Sequence, residues 1–490
     1  MKKKLAFLLA LMILLSACSE GAAEGEAAGE TSEETEAVVE ETTAEKVDPR
    51  MLIDDELPEK DFGGRNFIVL GSGNDSFHKY IYTESLNGEV VNDSVFQRNL
   101  TLEERFNSKV MSYVPGTTRQ EASAAVKTAV QAGDNETFQL CSFHVVESSG
   151  LLLQDYYLNW YEIDHINFDK PWWADSTVED LSINDHCFLA VGDAAVSTIS
   201  CTYCVFYDKD AAVIYNLENM YDVVKEGRWT VDYVKTVCES VAQDLDGDGA
   251  MTENDYYGYS TDFQSNVNTY LWAFGGGVYT RNADGEMEFT YYNEHLVNIY
   301  DKVFELLFNT QGVYGQTPHG TGTSMMALGK SLFANGVLHH TTSKLVDFDH
   351  EYGIIPYPKY DEAQAEYRTM VDGSHEAMSI AKNAVDFEFI GIMTEAMCAE
   401  SYKQIIPSYY DVCLKQRYAS SPDDAEMIEL CVDSRVFDFG YVYDNWQGVS
   451  FLLQSAVQAQ NNNIASTFKS GQKVYKRYYD KVIEKFYPEG

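Results

Sequence analysis

The sequence predicts an α/β protein of two lobes, and three observations carry that prediction. Its 490 residues, 45% hydrophobic and 13% aromatic, can bury more than one domain-sized core. Short apolar runs alternate with stretches whose apolar residues recur at helical spacing, the succession of an α/β sheet. The part from Phe62 to Gly490 is longer than the roughly 100 to 200 residues that one domain usually holds.

The chain opens with Met1, Lys2, Lys3 and Lys4, runs through the apolar stretch Leu5 to Leu15, and closes on Ser16, Ala17 and Cys18. That order, basic then apolar then small, is a secretory leader, and the apolar run is too short to span a bilayer as a helix. Leu15-Ser16-Ala17-Cys18 resembles the bacterial lipobox, which implies removal of residues 1–17, a diacylglycerol on the Cys18 sulfur and usually an acyl group on its new amine. Two or three acyl chains moor a protein that a single chain holds only marginally. Ser19 to Arg50 then carry eleven acidic residues, two basic ones and no aromatics, so nothing there drives collapse. Residues 18–61 are accordingly expected as a lipidated cysteine with a disordered acidic tether, and 62–490 as the folded body.

Within the body, Asn66 to Leu70 reads as a strand entering a tight loop at Gly71 to Asp75. Val91, Val95, Leu102 and Phe106 share one helical face. A second helix runs from Glu121 to Ala132 and stops at Gly133, and Gln139 to Val146 reads as the next strand. Ser197 to Tyr207 is a β-branched and aromatic run. Beyond it come further helices, a turn at Gly275 to Gly277, a Gly- and Thr-rich loop at Thr317 to Ser324, and a helical end from Lys469 to Tyr487. Ligands of such sheets sit beyond the carboxyl ends of the strands, which makes the Gly71 to Asp75 loop a candidate cleft edge.

A formal charge of −42 repels phosphate backbones and anionic headgroups, excluding nucleic acid and a charge-held membrane contact. It suits an exported protein meeting neutral or cationic small ligands.

The sharpest local signal is a calcium loop. Asp244, Asp246 and Asp248 stand at positions one, three and five, Gly249 at six, the Ala250 carbonyl at seven, Thr252 at nine and Asp255 at twelve. Hard oxygen ligands at this alternation converge on one hard cation. The twelfth residue is Asp where an EF-hand has Glu, a shorter arm. A helix from Val231 to Val241, capped by Thr230, precedes the loop, and the strand-like Tyr256 to Tyr259 follows it. That context predicts a solitary structural Ca2+ site without the paired helices of a sensor.

Other motifs fall short. In Ser324 to Ser331 a serine replaces the first glycine of a P-loop, and Ser76 stands where a dinucleotide fingerprint beginning at Gly71 needs its third. Cys201 and Cys204 lie in the strand-like run, where residues three apart face opposite sides; buried thiols are the expected state. The histidines form no H-E-x-x-H and the serines no G-x-S-x-G. Paired carboxylates for glycoside hydrolysis stay open, since 77 acidic residues offer many pairs.

Aromatic side chains are the remaining signal. The flat faces of Trp160, Trp172, Trp173, Trp229, Trp272 and Trp446 can stack on the C–H faces of sugar rings, with nearby Asn, Asp and Glu taking hydroxyls. Two or three of the six are expected in a cleft and the rest in the core.

The lipobox and tether, Lys170-Pro-Trp-Trp173, Gly353-Ile-Ile-Pro-Tyr-Pro-Lys-Tyr-Asp361 and Pro407-Ser-Tyr-Tyr-Asp411 together resemble the large extracellular solute-binding lipoproteins of bacterial ABC importers, most closely the carbohydrate-type, family 1 members of clostridia. Asn92-Asp-Ser-Val95, Glu103-Glu-Arg-Phe106 and Glu400-Ser-Tyr402 are similar in wording and order. The resemblance implies a two-lobed type II periplasmic-binding-protein fold with several interlobe crossings. Lobe one would hold about 62–197 plus part of 323–372, and lobe two the remainder.

It also implies a monomeric non-enzyme on the extracellular face of the cell membrane, held there by its lipid. That protein closes on a carbohydrate and passes it to the transmembrane subunits of a permease. Trp172, Trp173, Trp272 and Trp446 are the candidate stacking residues, and Asn74, Asp193, Asp372 and Glu376 the candidate hydroxyl partners. The competing readings are a surface-anchored glycoside hydrolase and a calcium-stabilised adhesion module, and the acidic charge keeps polyamines among the ligands to try.

Overall fold

The computed structural model describes residues 48–73, 77–415 and 421–488. The leader, Cys18, the tether up to residue 47 and Asn74 lie outside the described residues. Among the described residues nine strands build the two larger sheets: β1 (Arg65–Leu70), β2 (Ser108–Tyr113), β3 (Leu140–His144), β4 (Tyr203–Asp208), β5 (Tyr257–Asp262), β6 (Val313–Gln316), β7 (Ser331–Val337), β8 (Tyr352–Ile355) and β9 (Glu376–Ser379). The first sheet has the order β9-β3-β1-β2 and the second β8-β4-β7-β5-β6.

Local sequence explains most of the elements. The helix Arg119–Ala132 starts where Thr118 accepts the Glu121 amide while Glu121 reaches back to the Thr118 amide, and it ends on Gly133 at φ +67°. Thr230 caps Val231–Val241 through the Tyr233 amide, and that helix buries Val231, Val234, Val237, Cys238 and Val241 on one face. Helix Val90–Phe106 turns Val95, Leu102 and Phe106 inward. Parallel pairing of β1 with both β2 and β3 follows from the helices that return the chain across the sheet.

Three segments depart from the sequence reading. Ser197–Ser200 is a helical turn and the strand starts only at Tyr203. Hydroxyls decide this: Thr202 Oγ1 donates to the Thr198 carbonyl and Ser200 Oγ to that of Ser197, so the β-branched run satisfies itself as a turn. The expected strand through Val146 ends at His144, which caps the helix Val145–Leu152. In the Thr317 to Ser324 loop, a helix, Thr321–Ala327, begins after Gly320 at φ +77°. It leads into β7, so helix precedes strand at Gly329, the reverse of a P-loop.

Chain segments pass between the sheets more than once. Residues 192–202 lead from the first half to β4, and residues 369–375 lead back to β9, which pairs antiparallel with β3. A third segment returns to the second half, where Arg435–Val436 pairs with Thr369–Met370. Of the segment 323–372, part of which the sequence reading gives to lobe one, β7 and β8 belong to the five-stranded sheet, and the strand that rejoins the first sheet starts at Glu376.

Candidate functional site

Strand direction places the site. Parallel β1, β2 and β3 release the chain at Leu70, Tyr113 and His144, and β9 enters on the same edge, Glu376 lying opposite His144. In the second sheet β5, β6 and β7 end at Asp262, Gln316 and Val337, and β4 enters there with Tyr203 opposite Val337. The loops from these two edges meet: the Phe77 ring lies 6.3 Å from that of His339. Close approach needs small residues, since a Cβ on Gly73 would sit 2.1 Å from the Gly116 carbonyl oxygen.

Asp372, on the segment that re-enters the first sheet, is the centre of this region. Its Oδ2 accepts from Tyr203 Oη at 2.5 Å and Ser265 Oγ at 2.6 Å, and its Oδ1 from Ser374 Oγ at 2.6 Å and the Ser374 amide at 2.9 Å. Burial pushes its pKa up, but the hydrogen bonds from Ser265, Ser374 and Tyr203 and the nearby His319 outweigh it, and the carboxyl is held well below the usual range. Burial and the Asp372 charge raise the Tyr203 phenol, which stays a donor.

His144, His375 and His340 are neutral at pH 7. Burial, then Arg119, lowers His144 to about 3; burial takes His375 to about 4; burial and neighbouring histidines drive His340 well below its ordinary value. Arg119 Nη1 lies 2.6 Å from His144 Nε2, and Thr323 Oγ1 2.9 Å from His340 Nδ1. Asp262, accepting from the Gly320 amide at 2.8 Å, is pushed up to about 6 by burial.

Trp446 completes the site. It is 46% exposed and follows Asn445 in a left-handed turn, φ +42° then +60°. Its ring packs 4.7 Å from Phe451 and 6.1 Å from His144, with the Arg119 guanidinium 5.3 Å from its centroid. Asp444 anchors this turn, its Oδ2 accepting from the Ser450 amide at 3.2 Å and Tyr479 Oη at 3.1 Å. The result is an indole face beside hydroxyls, a carboxylate and neutral imidazoles. Such a surface matches a neutral, hydroxyl-rich molecule in both its C–H faces and its polar edges.

The other candidates fall elsewhere. Trp172, Trp173 and Trp272 are 0, 3 and 1% exposed, a correction to their expected stacking role. The indole N–H groups of Trp172 and Trp173 both donate to buried Glu395, at 2.8 and 2.9 Å, while Trp272 packs 5.1 Å from Tyr441. Glu376 is buried, and its amide donates to Ser197 Oγ, tying β9 to the outgoing crossing. Asp193 lines a separate cavity with Arg435. Sequence reading does not single out Tyr203, Ser265, His319, His339 or Arg119; strand direction is the signal that points to them.

The acidic loop brings carboxylate oxygens of Asp244, Asp246 and Asp255 within 4.8 Å of one another, with Gly247 and Gly249 at φ +74° and +83°. A backbone hydrogen bond from Asp248 pulls Asp246 down, but desolvation and the charges of Asp248, Asp255 and Asp244 raise it overall. Asp255 is buried and accepts from the Leu245 and Thr252 amides, and Asp248 turns to the Ala250 amide. Three of the six expected ligands therefore converge, an oxygen set suited to a hard cation.

No family model matches the sequence, and no curated protein matches it. Solved structures do match the fold. UgpB from Mycobacterium tuberculosis, in complex with glycerophosphocholine, is 12% identical over 86% of this chain and 99% of its own, with a TM-score of 0.55. A cyclo/maltodextrin-binding protein complexed with maltotetraose is 11% identical over 86% and 96%, TM-score 0.54. UspC of M. tuberculosis is 11% identical over 84% and 100%, TM-score 0.53. The fold is thus the type II periplasmic-binding-protein fold.

Proposed function

We propose that this chain is the solute-binding component of an ABC importer, moored through Cys18 to the extracellular face of the cell membrane. It captures a sugar or oligosaccharide between its lobes and delivers it unaltered to the permease's transmembrane subunits. The observation that carries this reading is that the exposed Trp446 indole flanks His144, which lies within electrostatic reach of the Asp372 carboxylate where the two sheet edges meet. Structures of the same fold hold maltotetraose and glycerophosphocholine, which supports a small hydroxylated ligand here. Asp372 is ionised and already accepts four hydrogen bonds, so it is not poised to donate a proton; this favours binding over glycoside hydrolysis. Closure around the ligand is a population shift toward the form that the permease recognises.

Titrating the purified chain with mono- and oligosaccharides tests this. Saturable 1:1 binding with the sugar recovered intact is expected; accumulation of a hydrolysis product would replace the reading with an enzyme, and silence across sugars and polyamines would leave an adhesion module. Asp244, Asp246 and Asp255, with Asp248, Ala250 and Thr252 from the same loop, hold a structural Ca2+ in this reading. Chelation then lowers the melting temperature by native-state linkage, and Asp246→Ala removes that response while sparing sugar binding. A melt indifferent to calcium in the unaltered protein eliminates the ion.

A further inference from the structure

A second polar cavity, of ≈ 430 Å³, lies among the segments that pass between the sheets. Its walls come from Asp193 and Thr198 on the outgoing crossing, Asp433, Arg435 and Phe437 on the late returning segment, and Trp173. None of these residues belongs to the Asp372 cluster.

Among the described residues the charges here are not paired with one another. Arg435 Nε donates to the Val432 carbonyl at 2.6 Å, and Nη1 reaches Thr198 Oγ1 only at 3.4 Å. Among the described residues no carboxylate lies within ion-pair distance of this guanidinium, although Asp193 and Asp433 are close enough for their charges to act on it. Asp193 has no hydrogen-bond donor among the described residues, and burial, opposed by Arg435 and Arg50, pushes it up to about 7. A half-buried cation and two nearby acids, Asp193 and Asp433, that do not touch it leave room for a group bridging them, and Asp175 adds a third carboxyl to the wall. A ligand carboxylate fits the guanidinium fork, and an ammonium fits the two aspartates. Phe437 and Trp173, with Val191, Val432 and Pro171, add an apolar margin. The volume sits low in the ~300–1,000 Å³ range of small-molecule sites, which suits one small molecule.

We propose that this cavity binds a small zwitterion of the α-amino-acid class with an apolar side chain, its carboxylate on Arg435 and its ammonium between Asp193 and Asp433. The occupant contacts both the outgoing and the returning crossing. Arg435 also pairs in register with Thr369, three residues before Asp372, so occupation of this cavity is mechanically continuous with the other site. Any effect on sugar affinity is reciprocal; that coupling rests on the sugar-binding reading, whereas the amino-acid site itself does not.

Calorimetry on the full chain tests the site with L-leucine and L-phenylalanine against 4-methylpentanoate, which lacks the ammonium, and 3-methylbutylamine, which lacks the carboxylate. At least one amino acid is expected to bind saturably and raise the melting temperature, with both single-charge analogues about tenfold or more weaker. Arg435→Gln and Asp193→Asn each remove the amino-acid response while Trp446→Ala leaves it intact. If Arg435→Gln fails to fold, Asp193→Asn and Asp433→Asn carry the test. No binding of either amino acid to the folded wild type, equal binding of the analogues, or binding that survives the aspartate and arginine changes would overturn the proposal. Loss of sugar binding alone would strike only the reading of the Asp372 site.

Discussion

Asp372 and Asp193 are both half-buried and both lie on segments that link the two sheets, yet their surroundings drive them apart. Asp372 receives three hydroxyls and an amide and is held as an anion; Asp193 receives no such donor among the described residues and is pushed up to about 7. Burial acts the same way on both, so hydrogen bonding, and not depth, separates these two carboxyls. One aspartate is the finished keystone of a polar array, and the other is an open valence.

The largest expected effect separates the two directly. Asp372→Ala leaves the Tyr203, Ser265 and Ser374 hydroxyls without their acceptor and should cost ~2–4 kcal/mol in urea unfolding. Asp193→Ala removes an uncompensated carboxylate and should be neutral or mildly stabilising. Equal losses in the two variants would break the comparison.

Next in size is an effect on affinity and not on stability. Trp446→Ala should weaken binding of the best sugar about 10- to 100-fold, ~1.4–2.8 kcal/mol, because it removes an exposed indole face available for stacking. Its unfolding free energy should move by less than ~1 kcal/mol, as for other exposed positions. Unchanged sugar affinity would assign recognition to the Asp372 cluster alone.

The smallest effect is a slope. The Asp193 carboxyl titrates higher in the folded than in the unfolded chain, so its stabilising contribution is present below about pH 4 and is lost as pH rises from there to about 7. Asp372 has the opposite sign, contributing above its unfolded pKa and losing that contribution only in strong acid. Melting curves of Asp193→Asn against wild type should therefore favour the variant more at pH 7.5 than at pH 5, by roughly 1–3 °C. A difference independent of pH would show that Asp193 has found a donor in solution.

Local chemistry made much of the fold legible. Thr118 with Glu121, Gly133, and Thr230 announce helix ends in the sequence, and each does that work in the structure. The site was harder to read, because its parts are joined only by folding. Asp372 meets Tyr203 and Ser265 across 169 and 107 residues of chain, and no periodicity encodes such a meeting. Adjacent Trp172 and Trp173 look like a sugar platform until Glu395, far along the sequence, claims both indole N–H groups. The run from Ser197 misled for a different reason: β-branched composition reads as strand, and only the hydroxyl-to-carbonyl bonds of Thr202 and Ser200 show that a turn satisfies the backbone there.

Five of the six indoles are at most 3% exposed, and the sixth stands in water at the mouth of the site. Excited near 295 nm, the protein should emit as a blue, sheltered majority with one red-shifted component that acrylamide reaches first. The imidazole and guanidinium beside that component make its brightness sensitive to whatever lies on it, so occupancy can be followed optically with no dye attached.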